Sequence, residues 1–469
     1  MQATLVGHAC WIIETTAGYV LTDPVFFDPF EEGTVVSCPR RIVQPDRLPD
    51  LCAVFVSHRH LDHYDFPSLA VLDRRLPVFC PEDPLLVYGL RRLGFKTLYF
   101  LEPFVPQQLG GLRLLPTPSL NRNVLEYGLV LQDASGTLFN QVDTFLSPDA
   151  IRRLYGDVGG IDVHLAMYAS QNFGFFESKR ASTSAVYAMN LNTVLMLNAD
   201  CVVPASAGFR FSDDLAWLNR HVFPIQADQF VADLRRLKPR LRTEMIQPGD
   251  ILTIAPGRLE VRQQVSDFVT MIEPDTYRLA YDPSAPIPAL QDTNPMGYGV
   301  RGMAELAHGV LEVGLPQYLS RAITIVDELA WRYAHHGVTY QVEVVFPETS
   351  RCWTYHFDPQ QHTYRLTHEA GAVAPQSRLR ITASALVDFC LARRSYFYIR
   401  TQSRRSACVL DLVPTAHAVE VHEIDLPDLL AHYIIHEMAG AERRGADWID
   451  FVMRPLQGPR TPSPANCNR

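Results

Sequence analysis

Short apolar runs separated by polar turns dominate the first half of the chain. Residues 51–56, Leu-Cys-Ala-Val-Phe-Val, are such a run and read as a buried strand. The segments 77–80, 97–100, 161–167 and 201–204 have the same character. Residues 1–26 read as short strands turning at 16–18. Residues 127–132 and 137–142 read as a hairpin closed by Ala134-Ser135-Gly136. Between them, 66–72, 84–93 and 227–237 carry apolar positions at helical spacing. Strands alternating with helices, plus antiparallel hairpins, predict a mixed α/β (α+β) fold: two sheets face to face with helices outside. Residues 27–50 read as a long loop able to roof a pocket; Arg40 and Arg41 lie in it, either as solvated charge or as an anion-recognising pair.

The pattern weakens at 273–300, where Pro274, Pro283, Pro286, Pro288 and Pro295 crowd together. Beyond this, 316–335 is helical in pattern, 339–346 and 351–357 are strand-like, 379–382 leads into a helix at 383–391, and 427–438 reads as the final helix. The expected organisation is a first domain over 1–275, a Pro-rich linker over 276–300, a smaller α+β accessory domain over 301–458 and a disordered tail over 459–469.

The densest chemistry follows the 51–56 strand. Ser57-His58-Arg59-His60-Leu61-Asp62-His63 places four metal-ligand side chains within six residues, at the end of a rigid element. His58 and His60 are two apart, so an extended backbone points them the same way. Asp62 and His63 can turn toward a second metal position. Imidazole with carboxylate suits zinc, iron or manganese rather than calcium.

His58-x-His60-x-Asp62-His63 resembles the signature of the metallo-β-lactamase fold superfamily. Gly7-His8-Ala9-Cys10-Trp11 and Thr22-Asp23-Pro24-Val25-Phe26 look like the opening hairpin of its lactonase-like and phospholipase D-like branch. Residues 57–69, Leu138-Phe139-Asn140-Gln141-Val142-Asp143 and Val203-Pro204-Ala205-Ser206-Ala207-Gly208-Phe209 are most similar to the metallo-β-lactamase-like part of CMP-N-acetylneuraminate hydroxylase. The resemblance covers residues 1–260 clearly. It implies an αββα sandwich, with metal held by His58, His60, Asp62, His63 and Asp143, the last able to bridge two ions. It puts His8 beside the metals, orienting a ligand or substrate, with Asp62 and Asp143 taking part in catalysis. The second half resembles, faintly, the sterol-carrier-like accessory domains of other members, and is expected to pack on the first domain and shape the pocket entrance or a homodimer contact.

The chain departs from the family in two places. No histidine occurs between His63 and His164, so a third histidine is missing; the matching turn, 119–123, offers Asn121 and Asn123. The fifth histidine is replaced by Ala207-Gly208-Phe209, with Asp213 and Asp214 nearby; Asp214 is the expected substitute ligand. His164 and His221 read as structural. The turns after 161–167 and 201–204 leave toward the same pocket, so Ser170, Gln171, Asn172 and Arg210 are expected to bind substrate.

Losing histidines weakens a two-zinc site, which needs a hydroxide clamped between metals. An iron centre needs few protein ligands and open positions. The family most resembled is an iron-dependent oxygenase fed by a Rieske domain, whose Cys-x-His pairs are absent from this sequence. The expected function is therefore a non-haem iron oxygenase, with one or two iron ions, no iron–sulfur cluster in this chain, a small polar substrate and a separate electron donor such as a ferredoxin or reductase, or electrons drawn from the substrate. The alternative is a zinc-dependent hydrolase of a phosphoester, lactone or amide; a third class is a scaffold that has lost its site.

Composition narrows this further. At 469 residues, two or three domains are expected. A net charge of −9 disfavours nucleic acid as a general partner. No apolar run approaches the roughly 18–20 residues that span a bilayer. The start shows no basic, then long apolar, leader pattern. Nine scattered cysteines without a Cys-x-x-Cys pair read as reduced thiols in a cytoplasmic protein, with Cys10, Cys52, Cys80 and Cys201 as small core residues.

Overall fold

The apolar run at 51–56 becomes the strand Leu51–Phe55, with Ala53, Val54 and Phe55 fully buried. It is a central strand because both of its faces are apolar: Phe55 points into one cluster and Val54 into another. The computed structural model describes residues 1–169, 171–172, 181–273, 281–368, 374–415 and 418–456. Among them, an eight-stranded sheet runs in the order Arg258–Arg262, Ile251–Ala255, Gln2–Gly7, Cys10–Thr15, Gly18–Thr22, Leu51–Phe55, Val78–Cys80, Leu98–Phe100. A seven-stranded sheet runs Arg242–Thr243, Cys201–Ala205, Val163–Met167, Gly136–Asn140, Gly128–Asp133, Leu112–Thr117, Gln107–Leu109. Leu5, Trp11, Ile13, Phe55 and Phe79 of the first sheet meet Leu114, Leu129, Leu131, Leu165 and Val203 of the second to form the central core. Phe66–Ala70 and Pro84–Leu93 cover the outer face of the first sheet, and Pro148–Val158 and Ala227–Leu237 that of the second. The layers are therefore helix, sheet, sheet, helix, as the alternation in the sequence implies.

Strand direction places the site. Gly18–Thr22, Leu51–Phe55 and Val78–Cys80 are parallel, as are Gly136–Asn140, Val163–Met167 and Cys201–Ala205. The turns after the strands of each set thus leave from one edge of that sheet, where open α/β sheets hold their ligands.

The 27–50 segment is more ordered than a loop. Val35–Ser37 pairs with Phe209–Phe211, and Arg40–Val43 with Val269–Glu273. Arg40 and Arg41 are held within the protein: both lie 3.3 Å from the Asp28 carboxylate, and Arg41 Nη2 donates to the Val25 carbonyl at 2.7 Å.

In the second half, Thr363–Thr367, Ser350–Asp358, Thr339–Val345, Ser377–Thr382 and Ser403–Ala407 form a five-stranded sheet in that order. The helical stretch expected at 316–335 starts earlier and is broken: Val300–His308, a π turn at Gly309–Gly314, Leu315–Ala322, then Leu329–His335. Pro316 explains the irregular turn, because its ring nitrogen cannot donate an intrahelical bond. Residues 281–299 contain no helix or strand. The helix expected at 427–438 is not the last: after Leu429–His432 and a π turn at Tyr433–Met438 comes Ala441–Met453. That helix packs back on the first domain, with Ile449 and Met453 in one cluster with Phe66, Leu69, Leu86 and Leu90. The 17-residue helix Ala181–Leu197 was also missed, since its apolar positions show no one-sided stripe. The 459–469 tail lies outside the described residues. No helix among them is long and apolar enough to cross a membrane.

Candidate metal centre

Asp23 follows the strand Gly18–Thr22 in a left-handed conformation (φ 42°) and is wholly buried. Its carboxylate gathers three donors: Ser57 N–H at 2.7 Å, Ser57 Oγ at 2.8 Å and His63 Nδ1 at 2.9 Å. A carboxylate only accepts, so Nδ1 of His63 carries the proton and the neutral ring turns its Nε2 lone pair away from Asp23. Ser57 Oγ, having donated to Asp23, accepts from His58 Nδ1 at 2.9 Å. His58 Nε2 then also presents a lone pair, 2.9 Å from His60 Nδ1. Two side chains behind the loop thereby fix the tautomers of two histidines in front of it.

Asp143 enters from the other sheet. It sits three residues past Gly136–Asn140, after a left-handed Val142 (φ 54°). Its Oδ2 lies 3.3 Å from His63 Nε2, and its Oδ1 is buried with no hydrogen-bond partner. Asp62 Oδ2 lies 3.7 Å from the same nitrogen and 3.2 Å from His8 Nε2. Among the described residues, two groups have ligand atoms all within 4.8 Å of one another: His58, His63 and Asp143, and His8, Asp62 and His63.

His8 differs from the other histidines. Its Nδ1 accepts the Gly208 backbone N–H at 3.2 Å, so the neutral ring keeps its proton on Nε2, facing Asp62. That tautomer donates a hydrogen bond to Asp62 rather than a lone pair to a metal, which agrees with an orienting role. Gly208 makes the contact feasible: a Cβ there would lie 2.7 Å from the His8 nitrogen and 2.8 Å from its Cα.

The cluster calls for positive charge. Burial disfavours a charged His63, but Asp143, Asp62 and Asp23 outweigh it and raise the imidazole well above its ordinary range. Burial likewise opposes charge on Asp62, yet His63 and His8 hold that carboxyl well below its usual range. His58, where burial dominates and His63 adds repulsion, is pushed well below the normal histidine range and stays neutral. An orphaned Asp143 oxygen, a neutral His58 lone pair and a His63 that gains a proton among carboxylates fit a bound cation, which would replace that proton.

His60 stands exposed at the rim, bonded to His58. Asp214 is exposed on the 3₁₀ helix Asp213–Leu218 and belongs to neither ligand group, so it does not fill the missing position. Asn121 is committed to Glu126, donating from Nδ2 at 2.9 Å, while Asn123 is exposed and its carbonyl accepts from Arg59 at 3.3 Å. Gln171 is exposed, the Asn172 N–H bonds the Val222 carbonyl at 2.8 Å, and Arg210 lies 3.9 Å from Glu273. Ser170 lies outside the described residues. His164 is buried, bonded to Gln141 at 2.8 Å and stacked on Phe139, which makes it structural; His221 is buried edge-on to Trp217.

Four residues escaped the sequence reading: Asp23, Ser57, Glu31 and Glu126. Glu31 is buried and accepts the Asp62 N–H at 3.0 Å. Glu126 is buried and held by Ser119 Oγ at 2.5 Å and by Asn121. Burial pushes its carboxyl up to about 7; Ser119 opposes this, Asp143 adds to it, and Asn121 and His63 pull it down. The signal was a lone carboxylate in the apolar stretch Val124-Leu125-Glu126-Tyr127.

Residues 19–166 match the family model described as the beta-lactamase superfamily domain. The first half of the chain has the metallo-β-lactamase fold. A Mycolicibacterium smegmatis protein named as a Rieske 2Fe-2S iron–sulfur protein is 30% identical over 190 residues, which is 36% of this chain and 34% of that one. The chain thus spans about a third of that relative's length. Among solved structures, a possible metal-dependent hydrolase from Veillonella parvula matches with TM-score 0.41 and 16% identity, over 54% of this chain and 99% of that one. CmlA, a diiron β-hydroxylase from Streptomyces venezuelae, matches with TM-score 0.39 and 16% identity, over 54% of each chain. The metallo-β-lactamase domain carries its candidate ligands on both sheets, the loop 58–63 on one and Asp143 on the other.

Proposed function

We propose that this protein is a metal-dependent oxidoreductase, a non-haem iron oxygenase acting on a small polar substrate. The observation that carries the reading is the group His58, His63 and Asp143, two imidazoles and one carboxylate converging on one point. That donor set, with positions left open, is the one iron(II) oxygenases use. Iron held there would supply the activation of dioxygen. His60 at the rim and Asp62 behind His63 would support the same ion or a second one.

The chain's own residues have defined tasks. Asp23 and Ser57 hold the two imidazoles in register. His8 keeps a proton on Nε2 against Asp62. Glu126, pushed up to about 7, can take or release a proton near neutral pH beside Asp143. Gln171, Asn172 and Arg210 remain the candidates for contact with substrate. The relative of M. smegmatis named for a Rieske centre supports an iron-linked chemistry, with electrons supplied by a separate ferredoxin or reductase or by the substrate itself.

The zinc-dependent hydrolase has one observation in its favour: Asp62 and His8 adjoin the first group at His63, donor atoms that a second metal would use once His8 gave up its Nε2 proton. Metal analysis of chain purified without added metal separates the two. The oxygenase reading expects iron, and a high-spin iron–nitrosyl EPR signal when the iron(II) form meets nitric oxide. Zinc without iron, together with esterase or phosphodiesterase turnover under anaerobiosis, would put the hydrolase first.

A further inference from the structure

We propose that the C-terminal domain sets the geometry of the metal centre through two adjacent glutamates, Glu31 and Glu32, which act as positioning residues. This rests on the metal reading above. Both lie at the tip of a turn closed by the bridge between Phe30 and Val35. Both are left-handed, φ 49° and 56°, a backbone that non-glycine residues hold where their surroundings impose it. The two side chains serve different partners. Glu31 is buried and accepts the backbone N–H of Asp62 at 3.0 Å. Glu32 accepts the Ser395 N–H at 3.0 and 3.2 Å and the Trp448 Nε1–H at 3.2 Å.

Ser395 caps the helix Tyr396–Thr401, and Trp448 lies on Ala441–Met453; both belong to the second half of the chain. A ligand loop and two helices of another domain are therefore joined through a single dipeptide. The turn also reaches His8, whose ring centre lies 6.4 Å from that of Phe30. Its flank is held from the same side: Phe397 stacks on Phe211 with ring centres 6.1 Å apart and planes 9° apart, and Phe211 pairs with Val35. A metal ligand's affinity depends on the groups that orient it, and losing one such group typically costs 10- to 100-fold.

The test uses the full chain, with cobalt(II) as the metal probe and amide hydrogen exchange as a metal-independent readout. Glu32→Ala should weaken cobalt(II) binding about tenfold, shift its visible d–d bands, and speed exchange at the Asp62 amide. Glu32→Gln, which keeps an accepting oxygen, should restore most of both, and Trp448→Phe should move both in the same direction as Glu32→Ala. The control is Tyr88→Phe with Arg92→Ala, which removes the contacts of Tyr88 (3.0 Å) and Arg92 (2.8 Å) with Asp450 and loosens the same domain contact away from the turn. It should leave cobalt(II) binding and Asp62 exchange as in the unaltered chain. Unchanged affinity and exchange in Glu32→Ala overturns the proposal, as does an equal effect in the control. If the unaltered chain binds no cobalt(II), the metal reading has failed, and exchange at Asp62 alone decides the positioning role.

Discussion

Asp23 Oδ2 and His63 Nδ1 lie 2.9 Å apart, both fully buried, and on the far side of the same ring Nε2 is 3.3 Å from Asp143. One carboxylate holds Nδ1 and the other meets Nε2, where a bound cation would take the place of the proton. Asp23→Asn should lower metal affinity 10- to 100-fold while leaving the ligands themselves in place. Competition with a chromogenic chelator measures it. Affinity within twofold of the unaltered chain would remove Asp23 from the centre.

Because Gly208 donates to His8 Nδ1, His8 offers a proton rather than a lone pair. His8→Ala should keep the metal stoichiometry, whereas His58→Ala or Asp143→Ala should lose most of it. Metal analysis of the three variants side by side decides the matter; a His8→Ala chain purified without metal would make His8 a ligand.

Gly208 itself is constrained by backbone, which cannot swing aside. A methyl group there would stand 2.7 Å from the His8 nitrogen. Gly208→Ala should cost about 1–3 kcal/mol, lower the melting temperature by several degrees, and disturb the His8–Asp62 contact. A variant as stable as the unaltered chain would show that the His8 segment yields.

His164 predicts an acid limb of stability. Burial pushes its imidazole down to about 3, whereas the unfolded chain titrates near 6.5. Below pH 6.5 the unfolded state therefore binds a proton that the folded state refuses, and stability falls as pH falls until about 3. The loss should reach roughly 2 kcal/mol by pH 5. His164→Gln removes this component, so its stability should change less between pH 7 and pH 5. Urea unfolding at both pH values tests this, and parallel slopes would refute it.

Ile449 is buried in the first domain's outer core although it belongs to the last described α-helix. Ile449→Ala should destabilise the metallo-β-lactamase domain by about 2–4 kcal/mol. Hydrogen exchange in Pro84–Leu93 should report it; a loss confined to the five-stranded sheet would mean that the helix serves only its own domain.

The sequence by itself determined the local elements and the main ligand loop. The strand at 51–56, the helices at 84–93 and 227–237 and the hairpin ending before Asp143 are written in hydrophobic periodicity, a property of neighbouring residues. His58, His60, Asp62 and His63 are legible for the same reason, since they lie within six positions of one another. Asp143 needed the resemblance to a known family to be linked to them. Tertiary structure decided what depends on distance in space: that Asp23 and Ser57 stand behind the histidines, that Glu126 is buried on Ser119 and Asn121 within reach of the charge of Asp143, that Asp214 stays outside the cluster, and that Gly208 fixes the tautomer of His8 from 200 residues away. It also decided that Ala441–Met453 returns to the first domain, because an apolar helix face shows in sequence while the surface that covers it does not. Glu31 and Glu32 show the limit most sharply. They are two adjacent acidic residues that would pass for solvated charge, and only the folded chain turns one toward a candidate metal ligand and the other toward the second domain.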